Sequence, residues 1–266
     1  MTLAPSGFLH IADADLEYRM LGPAPGEAPT IVMLHEGLGS AGLWGDFPQD
    51  LQAATGAGVF VYSRAGYGAS TPVRLPRPLD YMQREALDVL PKLLDTIGFG
   101  RGILVGHSDG ASIAALYAGG HQDHRLDGIV LIAPHVVVED ISVSSIAAIK
   151  TAYETSELRT KLARWHKDVD NAFYGWNGAW LDPKFRAWDI TDALAYIRVP
   201  VAVIQGADDQ YGTARQVEII KDECYCPVEV TMLPGVGHSP HREAPEPTLK
   251  VVAEFAAAVL PAAAAT

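Results

Sequence analysis

The chain has 266 residues, of which 48% are hydrophobic and 20% are charged, a composition typical of a folded globular protein and not of a disordered one. Its 20 lysines and arginines against 32 aspartates and glutamates give a formal net charge of −12. A surface this acidic repels phosphate backbones and anionic lipids, so neither nucleic acid nor a membrane is an expected partner.

The first ten residues lack the basic stretch, apolar run and cleavage site of a secretory leader, and we therefore expect a cytoplasmic location. No apolar run approaches the roughly 20 residues that span a bilayer. Cys224 and Cys226 are the only cysteines, and they are expected to be free thiols because they are too close for an ordinary disulfide.

Short apolar runs alternate with helical patterns along most of the chain. Residues 7–11 and 16–21 predict a hairpin, and the later apolar runs are typical of strands covered on both faces of a parallel sheet. These runs are Thr30–Leu34, 59–62, 103–105, 129–132, 201–205 and Val228–Leu233. The apolar spacing over 81–97 predicts a crossover helix with Asp80 as its N-cap. The pattern indicates a doubly wound α/β sheet, antiparallel at its first edge.

Residues 134–193 interrupt this alternation. They contain no convincing strand and hold four of the five tryptophans. Short amphipathic helices are predicted at 146–153 and 158–165. We therefore divide the chain into an α/β core of residues 1–133 and 194–266, with a helical insertion at 134–193. Residues 261–266 are predicted to fray.

The sequence Gly106-His107-Ser108-Asp109-Gly110 lies between a predicted strand and a predicted helix. A serine on such a sharp turn needs small residues two positions before and after it, because neighbouring chain segments pack close to its strained backbone. The amides that begin the helix also face any anion that develops there. The motif indicates a nucleophilic serine, and the alternative is a glycine-flanked turn with a surface serine.

A serine hydroxyl is a weak nucleophile, so this interpretation requires a base and an acid that orients it. Asp208 and Asp209 follow the predicted strand 201–205, and a glycine-rich loop after Val228–Leu233 ends in His238. This order of serine, acid and histidine is the one that the motif predicts. We expect His238 to be the base, with His241 as its rival, and one of the two aspartates to be the acid.

Five motifs together make the chain resemble a serine hydrolase of the α/β-hydrolase fold with a helical cap, on its esterase or C–C hydrolase-like branch. Residues 35–40, HEGLGS, resemble the oxyanion loop of that family, and residues 63–70, SRAGYGAS, resemble its Arg-Gly-x-Gly-x-Ser segment. The serine turn and the Gly-x-x-Asp segment that ends at Asp209 are the third and fourth motifs. The fifth is Gly237-His238 with Glu243 and Pro245 after it, and it favours His238 over His241 as the base.

The resemblance implies an eight-stranded, mostly parallel sheet with the cap inserted at 134–193. It implies Ser108, Asp209 and His238 as the catalytic residues, and the backbone amides of Gly37 and Asp109 as the oxyanion hole. It implies a small-molecule substrate. No cofactor is expected, because the chain lacks both common Gly-rich phosphate-binding loops. The histidines also lack a metal-ligand spacing, so no metal is expected.

One residue departs from the family pattern. Glu36 stands where the family usually has glycine, and a carboxylate directed at the oxyanion would oppose catalysis. Either Glu36 turns away and pairs with a group such as Arg64, or it is protonated and contributes to substrate binding or to the chemistry. In the insertion, Trp165 and Trp176 are candidate substrate-binding residues because clustered aromatic side chains often line apolar pockets.

The expected reaction is the hydrolysis of carboxylic esters of small or aromatic acids through an acyl-enzyme, as in a carboxylesterase. The alternative chemistry is hydrolysis of a carbon–carbon bond in a diketone-like ring-cleavage product. An alternative of another class is a ligand-binding protein of the same fold without catalysis. Serine at the turn disfavours the haloalkane dehalogenase and epoxide hydrolase branches, which use aspartate there.

Overall fold

Eight strands form one mixed sheet in the computed structural model, which describes residues 3–260. The strands are β1 Ser6–Ile11, β2 Ala14–Leu21, β3 Thr30–Leu34, β4 Gly58–Tyr62, β5 Gly102–His107, β6 Leu126–Ile132, β7 Val201–Gly206 and β8 Val228–Leu233. Their order across the sheet is β1-β2-β4-β3-β5-β6-β7-β8, antiparallel at the two pairs that involve β2 and parallel elsewhere. This confirms the predicted α/β sheet, and the tail at 261–266 lies outside the described residues.

The helices lie between the strands. They are α1 Phe47–Thr55, α2 Tyr81–Arg84, α3 Leu90–Ile97, α4 Asp109–Gly120, α5 Asp140–Thr155, α6 Leu158–Leu162, α7 Val169–Trp180, α8 Thr191–Leu194, α9 Ala214–Glu223, α10 Pro240–Glu243 and α11 Pro245–Val259. A π-helical turn, Glu85–Val89, joins α2 to α3, and a 3₁₀ turn, Pro183–Ala187, follows α7. None of the helices within residues 3–260 has the length and apolar character needed to cross a bilayer.

The predicted helix over 81–97 is confirmed as the contiguous run of α2, the π-helical turn and α3. Three local predictions were wrong. Asp80 makes no capping hydrogen bond, because its carboxylate accepts from Arg84 Nε at 2.8 Å. The second insertion helix ends at Leu162, before the predicted 165. Strand β8 is not covered on both faces, since it lies at the sheet edge with Glu229 and Met232 exposed.

The core lies on both faces of the sheet, which explains the continuous apolar runs. In β3, Ile31 and Met33 pack into the cluster on one face, while Val32 and Leu34 pack into the cluster on the other. All four side chains are fully buried. A parallel sheet covered on both faces holds the carboxyl ends of its strands in a row, and the loops that follow them meet at one edge.

The turn between β5 and α4 is packed against its neighbours at two glycines, where there is no space for a side chain. A Cβ atom added at Gly110 would lie 2.0 Å from the carbonyl oxygen of Leu34, and one at Gly106 would lie 2.2 Å from the carbonyl oxygen of Gly110. Backbone atoms cannot move aside as a flexible side chain can. The two glycines therefore allow α4 to start directly against β3 and β5.

We predict that Gly110→Ala lowers the free energy of unfolding by about 3 kcal/mol or more, because the added methyl group overlaps backbone atoms. The matched control is Gly178→Ala in α7, where an added Cβ meets nothing within 4 Å. That change should stabilise the protein by roughly 0.5–1 kcal/mol, since alanine is the better helix former. Urea denaturation followed by circular dichroism measures both effects, and similar stabilities for the two variants would contradict this account of the turn.

Candidate active site

Ser108 occupies the turn between β5 and α4 with a left-handed backbone, at φ 54° and ψ −117°. Residues other than glycine rarely adopt such a conformation, and where they do it is often at a functional site. The serine is 6% exposed and lies directly before the first helical residue, Asp109. The turn therefore presents the hydroxyl at the edge of the sheet where the strands end.

A chain of hydrogen bonds joins Ser108, His238 and Asp209. Ser108 Oγ lies 2.9 Å from His238 Nε2, and His238 Nδ1 lies 2.8 Å from Asp209 Oδ2. The three residues follow β5, β8 and β7 respectively. If Nδ1 carries the proton that Asp209 accepts, Nε2 is free to accept the proton of the serine hydroxyl.

Asp209 is buried and well supplied with donors. Its carboxylate accepts from Gln205 Nε2 at 2.8 Å and from the amides of Tyr211 and Gly212 at 2.7 and 3.3 Å. Burial alone would raise the pKa of Asp209, but the contact with His238 and these donors bring it below its ordinary value. The side chain is therefore ionised at neutral pH.

Asp208, the alternative acid, and His241, the alternative base, take no part in these hydrogen bonds. Asp208 is exposed to solvent. His241 is buried beside Trp44 and Phe47, with ring centroids 4.7 and 5.9 Å apart, and neither of its ring nitrogens has a hydrogen-bond partner within residues 3–260. Burial lowers its pKa well below the usual value, so it stays neutral.

Two residues that line the pocket with Ser108 have backbone amides without a hydrogen-bond acceptor in the described part of the chain. Neither the amide of Gly37 nor that of Asp109 donates a hydrogen bond to any residue among 3–260. Gly37 lies directly under the indole of Trp176, since an added Cβ would be 2.0 Å from Trp176 Nε1. The sequence HEGLGS therefore requires glycine at position 37 for a packing reason as well.

Arg64 fixes the loop that carries Gly37. The Arg64 guanidinium donates to the backbone carbonyls of His35 and Glu36. The backbone amide of Arg64 donates to His35 Nε2 at 3.1 Å. His35 Nδ1 donates to the carbonyl of Glu36 at 2.7 Å, which sets the tautomer of the ring. The Arg64 side chain is only 2% exposed, so these hydrogen bonds form away from water.

The Glu36 carboxylate lies against His107, and its partner is not Arg64. Glu36 Oε2 lies 3.5 Å from His107 Nδ1, and His107 Nε2 donates to the carbonyl of His238 at 2.7 Å. Burial alone would raise the pKa of Glu36, but the contact with His107 and the charge of Arg242 hold it well below its ordinary value. Glu36 therefore belongs to a contact that joins the oxyanion loop, the serine turn and the loop of His238.

The Asp109 side chain joins the serine turn to α7. Its carboxylate accepts from the hydroxyl of Tyr81 and, at 3.3 Å, from Trp180 Nε1. Burial raises the pKa of Asp109, although the charge of Arg64 and these donors oppose that rise.

A pocket of about 230 Å³ opens in front of Ser108 and His238. Its other lining residues are Glu36, Gly37, Leu38, His107, Asp109, His135, Ile146, Trp176, Trp180, Gln210, Tyr211 and Ser239. Trp176 therefore lies at the pocket, as expected, whereas Trp165 is not among the lining residues; its indole is 45% exposed and packs near Gly42. A separate hollow of about 340 Å³ near α1 and α11 is lined mostly by alanines and holds no titratable side chain among the described residues.

Eight lining residues were not singled out from the sequence as site residues: Leu38, His107, His135, Ile146, Trp180, Gln210, Tyr211 and Ser239. His135 carried a usable signal, because it comes three residues after β6, at the same sheet edge as the other site residues. Ile146, Trp180 and Tyr211 lie on segments whose orientation depends on how the insertion and the Asp209 loop pack. No group of three or more His, Cys, Asp or Glu side chains within residues 3–260 has an arrangement suited to a metal ion.

Comparison with known families identifies the fold. A model described as "Alpha/beta hydrolase family" matches residues 31–251, which is most of the chain. The chain belongs to the alpha/beta hydrolase family. Family membership supports hydrolase activity for this α/β hydrolase.

Individual relatives are more distant. Epoxide hydrolase 3 of Xenopus tropicalis is 28% identical over 131 residues, which are 48% of this chain and 34% of that protein, so the match spans about a third of the relative's length. Proline iminopeptidase from Mycobacterium smegmatis has a TM-score of 0.75 and 20% identity, covering 95% of this α/β hydrolase and 98% of that chain. An enol-lactonase from Burkholderia xenovorans has a TM-score of 0.73 and 18% identity over 94% and 99% of the two chains. These structures share the fold.

We predict that Trp180→Phe destabilises this α/β hydrolase by about 1–3 kcal/mol more than Trp188→Phe does, because it removes a donor from the buried Asp109 carboxyl. Trp188 is the matched control: it is also buried, and its Nε1 has no hydrogen-bond partner within residues 3–260. Both changes remove a similar volume. Equal losses in urea denaturation would mean that the Trp180 hydrogen bond contributes nothing to stability.

Proposed function

We propose that this α/β hydrolase is a serine carboxylesterase that cleaves esters of small or aromatic acids through an acyl-enzyme. The observation that carries the proposal is the hydrogen-bonded chain Ser108–His238–Asp209 with the free amides of Gly37 and Asp109 beside it. A protein that only binds a ligand has no need of a nucleophile, a base and an orienting acid in this geometry.

The first half of the reaction is acylation. Ser108 Oγ attacks the ester carbonyl carbon as His238 Nε2 takes its proton, and the ionised Asp209 stabilises the imidazolium. The negative charge that develops on the carbonyl oxygen is bound by the amides of Gly37 and Asp109, which no other group occupies among residues 3–260. The imidazolium then protonates the departing alcohol.

The second half is hydrolysis of the acyl-enzyme. His238 removes a proton from water, the water oxygen attacks the acyl carbonyl, and the returning proton restores Ser108 while the carboxylic acid leaves. The same two amides bind the second oxyanion. Each group therefore acts twice, and the protein ends the cycle in the state in which it began.

The dimensions of the pocket favour small substrates. Its volume of about 230 Å³ is below the ~300–1,000 Å³ of pockets that hold drug-sized ligands. Ile146, Trp176 and Trp180 supply apolar and aromatic surface for an acyl or aryl group. These features support short-chain or aromatic esters over long-chain lipids.

The test of this function uses a fluorophosphonate probe followed by a panel of p-nitrophenyl esters of rising acyl length. We expect one adduct, on Ser108, and turnover that is highest for short acyl groups, because the activated serine and the small pocket act together. Ser108→Ala should lose both the covalent labelling and the ester turnover. An adduct at another residue would overturn the assignment of Ser108 as the nucleophile, and labelling without turnover would overturn the assignment of esters as substrates. A folded protein that shows neither labelling nor turnover is a ligand-binding protein.

The acid is tested by comparing two neighbouring aspartates. We predict that Asp209→Asn lowers kcat by roughly 10⁴-fold, the loss known for the corresponding change in a protease triad, because asparagine cannot hold the imidazole in the required tautomer. Asp208→Asn, at the adjacent exposed position, should change kcat by less than about threefold. The measurement is kcat on the best ester from steady-state kinetics, with circular dichroism as the check on folding. Equal losses of kcat would mean that the two carboxylates share the role of the acid.

A further inference from the structure

A second imidazole lies in the pocket and takes no part in the chain Ser108–His238–Asp209. His135 follows β6, is 3% exposed, and has its ring centroid 5.5 Å from that of His238 and 5.1 Å from that of Trp180. It lines the pocket together with the nucleophile and the base. The mechanism above does not use it.

The two ring nitrogens of His135 have different surroundings. Nδ1 is enclosed and has no hydrogen-bond partner within residues 3–260, and it faces Gly212, where an added Cβ would lie 3.6 Å away. Nε2 makes no hydrogen bond to the described part of the chain either, but it is not enclosed, so its exposure is to the pocket that the residue lines.

The ring is neutral, and this decides where its proton lies. Burial, together with the neighbouring His238, lowers the pKa of His135 to about 3, although Asp209 opposes that shift. A neutral imidazole has one N–H, and an enclosed N–H without an acceptor is costly. The proton therefore belongs on Nε2, where water or a substrate can accept it. The pocket contains an N–H donor that no protein group uses.

The backbone around His135 is held by side chains of two helices, α4 and α9. Ser112 Oγ donates to the carbonyl of His135 at 2.6 Å, and the amides of Val136 and Val137 donate to Gln216 Oε1 at 2.7 and 3.2 Å. Ala133, two residues earlier, has a left-handed φ of 46°, an uncommon conformation for alanine. These bonds keep the ring at the pocket wall.

We propose that His135 is a substrate-binding residue that donates a hydrogen bond from Nε2 to a neutral oxygen atom of the ester, such as an ether or keto oxygen. The acceptor is neutral because the pocket lining includes Glu36 and Asp109 and contains no lysine or arginine. The proposal rests on the proposed esterase function and narrows its substrates to esters that carry such an oxygen.

The test compares pairs of esters that differ by one oxygen in place of a methylene group. On the acyl side the pair is p-nitrophenyl methoxyacetate and p-nitrophenyl butyrate; on the alcohol side it is 2-methoxyethyl and n-butyl acetate. The measured quantity is the ratio of kcat/KM within each pair, in the wild type, in His135→Leu and in His135→Gln. Differences in intrinsic reactivity within a pair cancel when the same pair is compared between variants.

The ratio is that of the oxygen-containing ester to its hydrocarbon counterpart. We expect His135→Leu to lower this ratio about tenfold for at least one pair, because leucine has no hydrogen-bond donor. His135→Gln should restore part of it, since its amide can donate to the same oxygen. Ratios within twofold of the wild type for both pairs overturn the proposal. An equal loss on both members of each pair, with no recovery in His135→Gln, makes His135 a packing residue and overturns it as well.

The failure of this proposal can be distinguished from the failure of the esterase function. Two fluorophosphonates, one with an alkyl chain and one with an ether chain of equal length, give the same ratio as rates of Ser108 labelling, without any turnover. If no ester is hydrolysed, a ratio that falls in His135→Leu and recovers in His135→Gln still supports the binding role, and an unchanged ratio overturns it. If Ser108 is not labelled at all, both proposals are overturned.

Discussion

The site depends on one buried positive charge. The guanidinium of Arg64 is almost fully enclosed, donates to the carbonyls of His35 and Glu36 in the oxyanion loop, and lies 5.1 Å from the ring of Tyr67. Two buried carboxyls, Glu85 and Asp109, lie within reach of its charge, and it opposes the rise that burial causes in their pKa. Removing one partner of a buried charge typically lowers the free energy of unfolding by about 3–5 kcal/mol. The conformation of the loop and the burial of the two acids therefore both depend on Arg64.

Helix α7 extends this network to the roof of the pocket. Trp176 packs on Gly37 and Trp180 donates to Asp109, so two tryptophans one helical turn apart each contact one of the two residues with a free amide. The amides and the pocket wall are therefore positioned by the same helix. In the proposed mechanism, a change that moves α7 would therefore alter both the fit of the substrate and the position of the two amides that bind the oxyanion.

The sequence was informative where a residue type has one physical use. Glycines around Ser108 indicated a turn without space for side chains, and the continuous apolar runs indicated strands covered on both faces. It was uninformative where the outcome depends on which side chains meet in three dimensions: Glu36 faces His107 and not Arg64, and Trp165 packs away from the pocket. His135 has no motif around it, and only its position after β6 relates it to the site.

The arrangement of the site along the chain has a consequence for biosynthesis. Ser108 and His238 are 130 residues apart, and the parallel sheet reaches the His238 loop only after β8 has paired with β7. The serine, the oxyanion loop and most of the pocket wall are synthesised well before the base. Under the proposed mechanism, a nascent chain therefore carries the serine without its base, and Ser108 gains the hydrogen bond to His238 only after β8 has left the ribosome and joined the sheet. Labelling of Ser108 would thus report that the last strand is in place.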